Sequence, residues 1–323
     1  MSDNRTVTSA QARKSILRAF DKQRPLFLWG PPGIGKSELV ESITNELGGY
    51  MIDLRLGQME PTDIRGIPFY NKDTGKMDWA PPVEMPDEEL ASQYPVIVLF
   101  LDEMNSAPAS VQAAAYQLIL NRRIGNYVMP KDVAIIAAGN RVKDKGVAYN
   151  MPMPLANRFT HLTLEVDVDD WKEWATLNRV HKDIVGYISF QPGDLNTFNP
   201  SAEGYAFATP RSWYFASELL QDRAHDGTLT DTGLPSEVLN DMIKGTIGEG
   251  VGIKFITYRN QAANLPHARD VLSGKVTKLN TKQIDVMYAL TTALCYELQD
   301  ASRGVKDDKK ISDAFHEKTD RFF

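Results

Sequence analysis

Cysteine is almost missing from this chain. The 323 residues include one, Cys295, which excludes an intrachain disulfide and any Cys-rich zinc site. It reads as a small core residue. The five histidines, His161, His181, His225, His267 and His316, are scattered and form no H-E-x-x-H pair. Each therefore reads as a surface or internally satisfied side chain. No run approaches the roughly 18 apolar residues of a membrane span, and Met1-Ser2-Asp3-Asn4-Arg5 does not open a secretory signal. A cytoplasmic location is the expectation. Positive charge is in deficit too, with 36 Lys and Arg against 42 Asp and Glu and a net charge of −6. This argues mildly against a constitutive nucleic-acid binder, although a local basic pore fits within an acidic total. There is no internal repeat and no low-complexity tract. The length suits one large or two moderate domains.

What is present starts with Gly30-Pro31-Pro32-Gly33-Ile34-Gly35-Lys36-Ser37, which matches G-x-x-x-x-G-K-[ST], a triphosphate-binding loop. Glycines let the backbone curl until successive N–H groups point at phosphate oxygens, and the following helix adds its positive N-terminal end. Residues 30–38, from Gly30 to Glu38, are thus the nucleotide-binding candidates. Lys36 would reach the β- and γ-phosphates, and the Ser37 hydroxyl would hold Mg²⁺. The flanks agree. Pro25 to Trp29 reads as a short buried strand, and Leu39, Val40, Ile43 and Leu47 recur at helical spacing until Gly48-Gly49.

Further along, Thr8-x-x-Gln11 reads as a capping box opening a helix with Ile16, Leu17 and Phe20 on one face. Strands are expected at Tyr50 to Leu54, Val96 to Leu101, Val133 to Ala138 and Phe159 to Val166. Two of these are continuous apolar runs, as in strands covered on both faces, and helical patterns separate them. Five strands in all imply a parallel sheet flanked by helices. From about Asp167 the pattern becomes helices joined by loops. Trp171, Trp174 and Leu177 share a face, Thr209-Pro210 starts a helix carrying Trp213, Tyr214, Phe215 and Leu219, and Ile284, Met287, Tyr288, Thr291, Leu294, Cys295 and Leu298 form a core stripe. The run at 306–310 reads as a solvated linker. Expected domains are 1–166, α/β and nucleotide-binding, and 167–323, helical.

Val98-Leu99-Phe100-Leu101 leads into Asp102-Glu103. An Asp at a strand tip can hold Mg²⁺, and the adjacent Glu can polarise the attacking water. Asn140 ends the next buried strand, where an amide can orient water or touch the γ-phosphate, though Gly-Asn is equally an ordinary turn.

Taken together, the loop at 30–37, the acids at 98–103, Asn140, Leu155-Ala156-Asn157-Arg158-Phe159 and Ala208-Thr209-Pro210-Arg211-Ser212 resemble an AAA+ ATPase. More narrowly, Asp102-Glu103-Met104-Asn105-Ser106-Ala107-Pro108 with Val111-Gln112-Ala113-Ala114 is similar to the MoxR branch, as is Pro61-Thr62-Asp63-Ile64-Arg65-Gly66. The resemblance covers about residues 8–220. It implies a P-loop core, a helical lid and a helical C-terminal extension, with ATP and Mg²⁺ as cofactors. Lys36 and Ser37 become the phosphate and Mg²⁺ contacts, Asp102 and Glu103 the metal-holding and catalytic acids, and Asn140 the first sensor. Arg158 falls at the arginine-finger position and Arg211 at the second sensor position. A guanidinium is always charged and bridges two phosphate oxygens, so both assignments suit phosphoryl transfer. One departure is Ser106, where the branch has Arg; Arg122, Arg123 or Arg141 could take over coupling between subunits.

Residues 57–82 interrupt the alternation. Two short strands flank Asn71-Lys72-Asp73-Thr74-Gly75, a hairpin turn. The resemblance implies that this insert faces a central pore and touches the partner through Phe69, Tyr70 and Trp79; a hairpin packed on the sheet edge is the competing reading. A second short hairpin is expected near 123–128. The resulting expectation is a homo-oligomeric ring, six-membered by resemblance, that hydrolyses ATP to remodel a partner protein. A protein with a von Willebrand factor A domain is the partner class implied. The alternatives are a nucleic-acid motor or loader, which the charge disfavours, and a nucleotide-gated scaffold, which Asp102-Glu103 disfavours. No N-K-x-D guanine-reading motif is present.

Overall fold

The computed structural model describes residues 6–144, 149, 151–225, 228–262, 265–266, 268–276 and 284–303. His267, His316 and the charged run at 306–310 lie outside them, as do the first five residues. The chain forms two compact units, 1–166 and 167–323.

In the first unit, β1 (Thr6–Val7) leads to α1 (Ser9–Asp21), β2 (Leu26–Trp29), α2 (Lys36–Glu46) and β3 (Tyr50–Arg55). An insert follows, with α3 (Pro61–Arg65), β4 (Ile67–Asn71), β5 (Lys76–Ala80) and α4 (Glu88–Gln93). Then come β6 (Ile97–Asp102), α5 (Ala109–Asn121), the small hairpin β7 (Arg123–Ile124) and β8 (Tyr127–Val128), β9 (Val133–Gly139), α6 (Met153–Ala156) and β10 (Thr160–Leu164). The parallel sheet has six strands in the order β1-β10-β2-β9-β6-β3. Six replaces the expected five because two residues, Thr6 and Val7, pair with Thr163 and Leu164 at one edge. A strand that short carries no periodicity to read.

The sheet is buried on both faces, which explains its apolar runs. Leu99, Leu101, Ile135 and Phe27 pack on one side with α5, while Val98, Phe100, Ile136 and Leu28 pack on the other with α1 and α2. Burying a side chain such as Leu99 or Phe100 contributes about 1.5–3 kcal/mol. Both bonds of the Thr8–Gln11 capping box form, so α1 starts where the sequence indicated. Register then does the work of assembly. Trp29 pairs with Gly139, Leu101 with Ala137 and Arg55 with Asp102, so the C-terminal ends of β2, β9, β6 and β3 lie at one edge of the sheet. In open α/β sheets ligands bind outside such ends.

The insert forms the expected hairpin. Asn71 Oδ1 accepts from the N–H groups of Asp73 and Thr74, and Gly75 turns at φ 65°. Phe69 and Tyr70 are exposed, whereas Trp79 is half-covered beneath the Arg65 guanidinium, 5.2 Å from the ring centre.

The second unit holds α7 (Val168–Leu177), α8 (Lys182–Phe190), α9 (Pro210–Leu220), α10 (Ser236–Ile247), α11 (Glu249–Ala262), α12 (Ala268–Leu272) and α13 (Ile284–Arg303). A short antiparallel pair, β11 (Gln221–Arg223) with β12 (Leu229–Asp231), interrupts the helices where loops alone were expected. Tyr187, Trp213 and Phe255 make the aromatic centre, with ring centroids 5.3–5.6 Å apart. Thr209 and Ser212 cap α9 reciprocally, with Pro210 at its first position. The stripe on α13 needs correction. Ile284, Met287, Tyr288, Thr291 and Cys295 are exposed, and the helix is covered through Ala289, Leu290 and Leu294. Cys295 is therefore no core residue. His181 is buried and fully used: Nδ1 accepts from the Asp183 N–H at 3.2 Å and Nε2 faces Asp231 at 3.0 Å. No helix among the described residues is long and apolar enough to cross a membrane.

Candidate functional site

The glycine loop leaves β2 at Gly30 and enters α2 at Lys36. Gly33 and Gly35 adopt φ of 76° and 91°, the left-handed conformation only glycine takes freely. Gly35 stands at the N-cap of α2 without a side-chain cap, so the N–H groups of the first turn stay open to an anion. Glu38 belongs to that turn.

Lys36 is buried, and its Nζ donates to the carbonyls of Gly30 and Pro31 at 2.9 and 3.1 Å and to Asn140 Oδ1 at 3.1 Å. From the end of β6, Asp102 Oδ2 accepts from Ser37 Oγ at 3.2 Å, and Asp102 Oδ1 accepts from the Glu103 N–H at 2.8 Å. Glu103 itself takes a left-handed φ of 54°, uncommon for a residue with a side chain. Its carboxylate lies against Gly57, where a Cβ would come within 2.7 Å of Oε2. Lys36, Ser37, Asp102, Glu103 and Asn140 are thus brought to one place.

Three neighbours were not singled out by sequence. Asp53 on β3 has its carboxyl pushed above the usual range, first by burial and then by the charge of Asp102. Asn105 is buried and donates from Nδ2 to the Asn140 carbonyl at 2.7 Å, which fixes Asn140 from behind. Its Oδ1 has no partner among the described residues and points where a Cβ on Gly139 would collide. Gly57 is the third. Asn105 stood within a quoted motif, but Asp53 and Gly57 carry no local signal.

The donor set fits a magnesium nucleotide. Ser37 Oγ and Asp102 Oδ2 can both turn to a hard cation, and a cation near Asp53 and Asp102 would relieve the crowding that raises Asp53. Among the described residues no group of three His, Cys, Asp or Glu could hold a metal alone. Phosphate oxygens and water would have to complete the shell.

The two arginines belong to other segments of the chain. Arg158 follows α6, exposed and without an ion pair among the described residues. Arg211 is an exposed residue in the first turn of α9, in the second unit. Of the replacements considered for Ser106, Arg122 is spent internally, its Nη2 donating to the carbonyls of Pro130, Lys131 and Val133 at 2.6–3.1 Å. Arg141 forks onto Asp144 at 2.9–3.0 Å. Arg123 is exposed.

Comparison with known proteins agrees with this geometry. Residues 26–163 match the family described as ATPase family associated with various cellular activities (AAA). Over that stretch, which is under half of the chain, the sequence is similar to this family. The matched span includes the glycine loop, Asp102, Glu103, Asn140 and Arg158. Midasin of Dictyostelium discoideum is 24% identical over 168 residues, which are 49% of this chain and 3% of that protein. The Thermotoga maritima RuvB Holliday junction branch migration motor is 14% identical, covering 89% of this chain and 68% of its own, at a TM-score of 0.36. NtrX from Brucella abortus is 14% identical, covering 94% and 67%, at a TM-score of 0.41. Overlaps this loose say nothing about function.

Proposed function

We propose that this protein is a ring-forming AAA+ ATPase of the MoxR branch that couples ATP hydrolysis to remodelling or activating a partner protein. The observation that carries the reading is the closed network Ser37–Asp102 and Lys36–Asn140, which ties the glycine loop to the ends of the two adjacent strands. Residues 1–166 are read as the nucleotide-binding domain and 167–323 as the lid and extension. In this reading the N–H groups of residues 33–38 and the Lys36 ammonium bind the phosphates. Ser37 and Asp102 would hold Mg²⁺, which when bound neutralises charge on the phosphates. Glu103, set by its left-handed turn, accepts the proton of the attacking water, and Asn140 orients that water. Arg158 reaches a neighbouring subunit's phosphates, and Arg211 senses nucleotide from the lid.

Arg158 is exposed and unpaired among the described residues, which supports action in trans, since such a guanidinium is available to another copy. Exposed Phe69 and Tyr70 on the insert hairpin support contact with a polypeptide. The von Willebrand factor A class of partner, a six-membered ring and a cytoplasmic setting rest on the sequence reading.

ATP turnover measured against protein concentration tests the proposal. Specific activity should rise with concentration and vanish in Lys36→Ala and Glu103→Gln. Arg158→Ala should lose on the order of 10³-fold while still binding nucleotide. Turnover per chain that stays constant on dilution to monomer would defeat the shared site, and turnover driven by DNA would favour the nucleic-acid motor.

A further inference from the structure

One hydrogen-bonded path inside the first unit joins the start of the glycine loop to the segment bearing Arg158. Trp29, the residue before Gly30, donates from Nε1 to His161 Nδ1 at 2.9 Å. An indole N–H only donates, so Nδ1 must accept and the ring proton sits on Nε2. Nε2 therefore donates to the Ala156 carbonyl, 2.8 Å away. Ala156 ends α6, and Arg158 follows two residues later, its N–H bonded to the Leu155 carbonyl at 3.0 Å.

α6 is weak by itself. It has four residues, Pro152 at its N-cap and Pro154 within it, so one turn of helix is held by tertiary contacts. Leu155 anchors it in the core, and His161 satisfies a carbonyl at its C-terminal end. His161 is fixed in turn by backbone pairing with Phe27, by Trp29 at a ring distance of 6.0 Å and by Phe159 at 6.1 Å.

We infer that His161 is a positioning residue: held by Trp29, it braces the end of α6 so that Arg158 is presented to the neighbouring subunit. The inference rests on the reading of Arg158 as a finger acting in trans. A histidine serving only stability would matter equally to a subunit that receives a finger and to one that gives it. A brace for Arg158 matters to the giver alone.

Mixed assemblies separate the two roles. Arg158→Ala subunits keep a working site but give no finger, and Glu103→Gln subunits give a finger but cannot turn over. Mixed in equal amounts, they should recover ATPase activity that neither shows alone. Adding His161→Phe, which keeps an aromatic ring but neither bond, to the Glu103→Gln copy should lower recovered turnover about tenfold or more. The same change in the Arg158→Ala copy should leave turnover within about twofold of the parent mixture. His161→Gln in the giving copy should restore activity, because the glutamine amide can still donate to Ala156. Equal loss from either placement, or no loss from the giver, would overturn the inference. Failure of the parent mixture to complement would overturn the shared-site reading itself, and the brace with it.

Discussion

A single missing methyl group decides where the carboxylate of Glu103, the proposed catalytic acid, can lie. Glu103 packs onto Gly57, and a Cβ there would stand 2.7 Å from Oε2. The glycine has no need of positive φ, so its role is room for the acid rather than freedom of the chain. Gly57→Ala should displace Glu103 from the line of attack without touching Lys36 or Ser37. The expected result is kcat lowered by up to about 10²-fold, with nucleotide affinity held within a few-fold. Single-turnover hydrolysis beside equilibrium nucleotide binding checks it; equal falls in both would mean that the alanine damages the loop instead. Asn105 works on the other flank by a similar economy, gripping the Asn140 carbonyl while Gly139 leaves space for its Oδ1. Asn105 stands within a motif legible in the sequence, whereas Gly57 acts only through the room it leaves for Glu103, which composition and spacing do not mark.

At the scale of elements, the cap of α8 offers a test by pH. His181 closes that helix and binds Asp231 on β12, and this hydrogen bond holds the Asp231 carboxyl down at about 2, well below its ordinary value. A carboxyl depressed in the folded state adds stability above the unfolded value near 4, and loses it as pH falls towards 2. Asp231→Asn should therefore lower the urea midpoint at pH 7, and the gap to the parent should close between about pH 4 and 2. A gap that persisted at pH 2 would assign the loss to packing instead. Asp231 is more than half exposed, so the effect is screened and modest. Legibility follows the same physics. β6 and β9 could be read because burial on both faces demands unbroken apolar runs, and the glycine loop because few residue types make its turns. α13 was misread because size was taken for burial. Gly186 on α8 lies 3.6 Å, by its would-be Cβ, from the Cα of Ala289, so α13 meets α8 closely at small residues, while Met287 is exposed and Tyr288 only edges onto Phe190. The pair β11–β12 and the two-residue β1 were too short for any pattern.

For the whole molecule, nucleotide binding becomes a question of how far its stabilisation spreads. Several contacts around the glycine loop join residues of the first unit: Lys36 to the loop carbonyls and Asn140, Ser37 to Asp102, and Asn105 behind Asn140. A ligand that binds only the native state, at a hundredfold excess over its Kd, adds about 2.7 kcal/mol to the stability of whatever unfolds with its site. ATP with Mg²⁺ should accordingly slow amide exchange in α2, β6 and β9 of the Glu103→Gln protein, which on the proposed mechanism retains the phosphate grip and cannot turn over. Lys36→Ala should abolish that protection. The second unit then tests Arg211. If its guanidinium reads the nucleotide, protection must extend to the first turn of α9 and disappear there, but not in α2, when Arg211→Ala is introduced. Protection confined to the first unit in both proteins would remove Arg211 from the ATP site and leave the helical unit to a role independent of nucleotide, because a residue that gains no contact on binding can gain no stability from it.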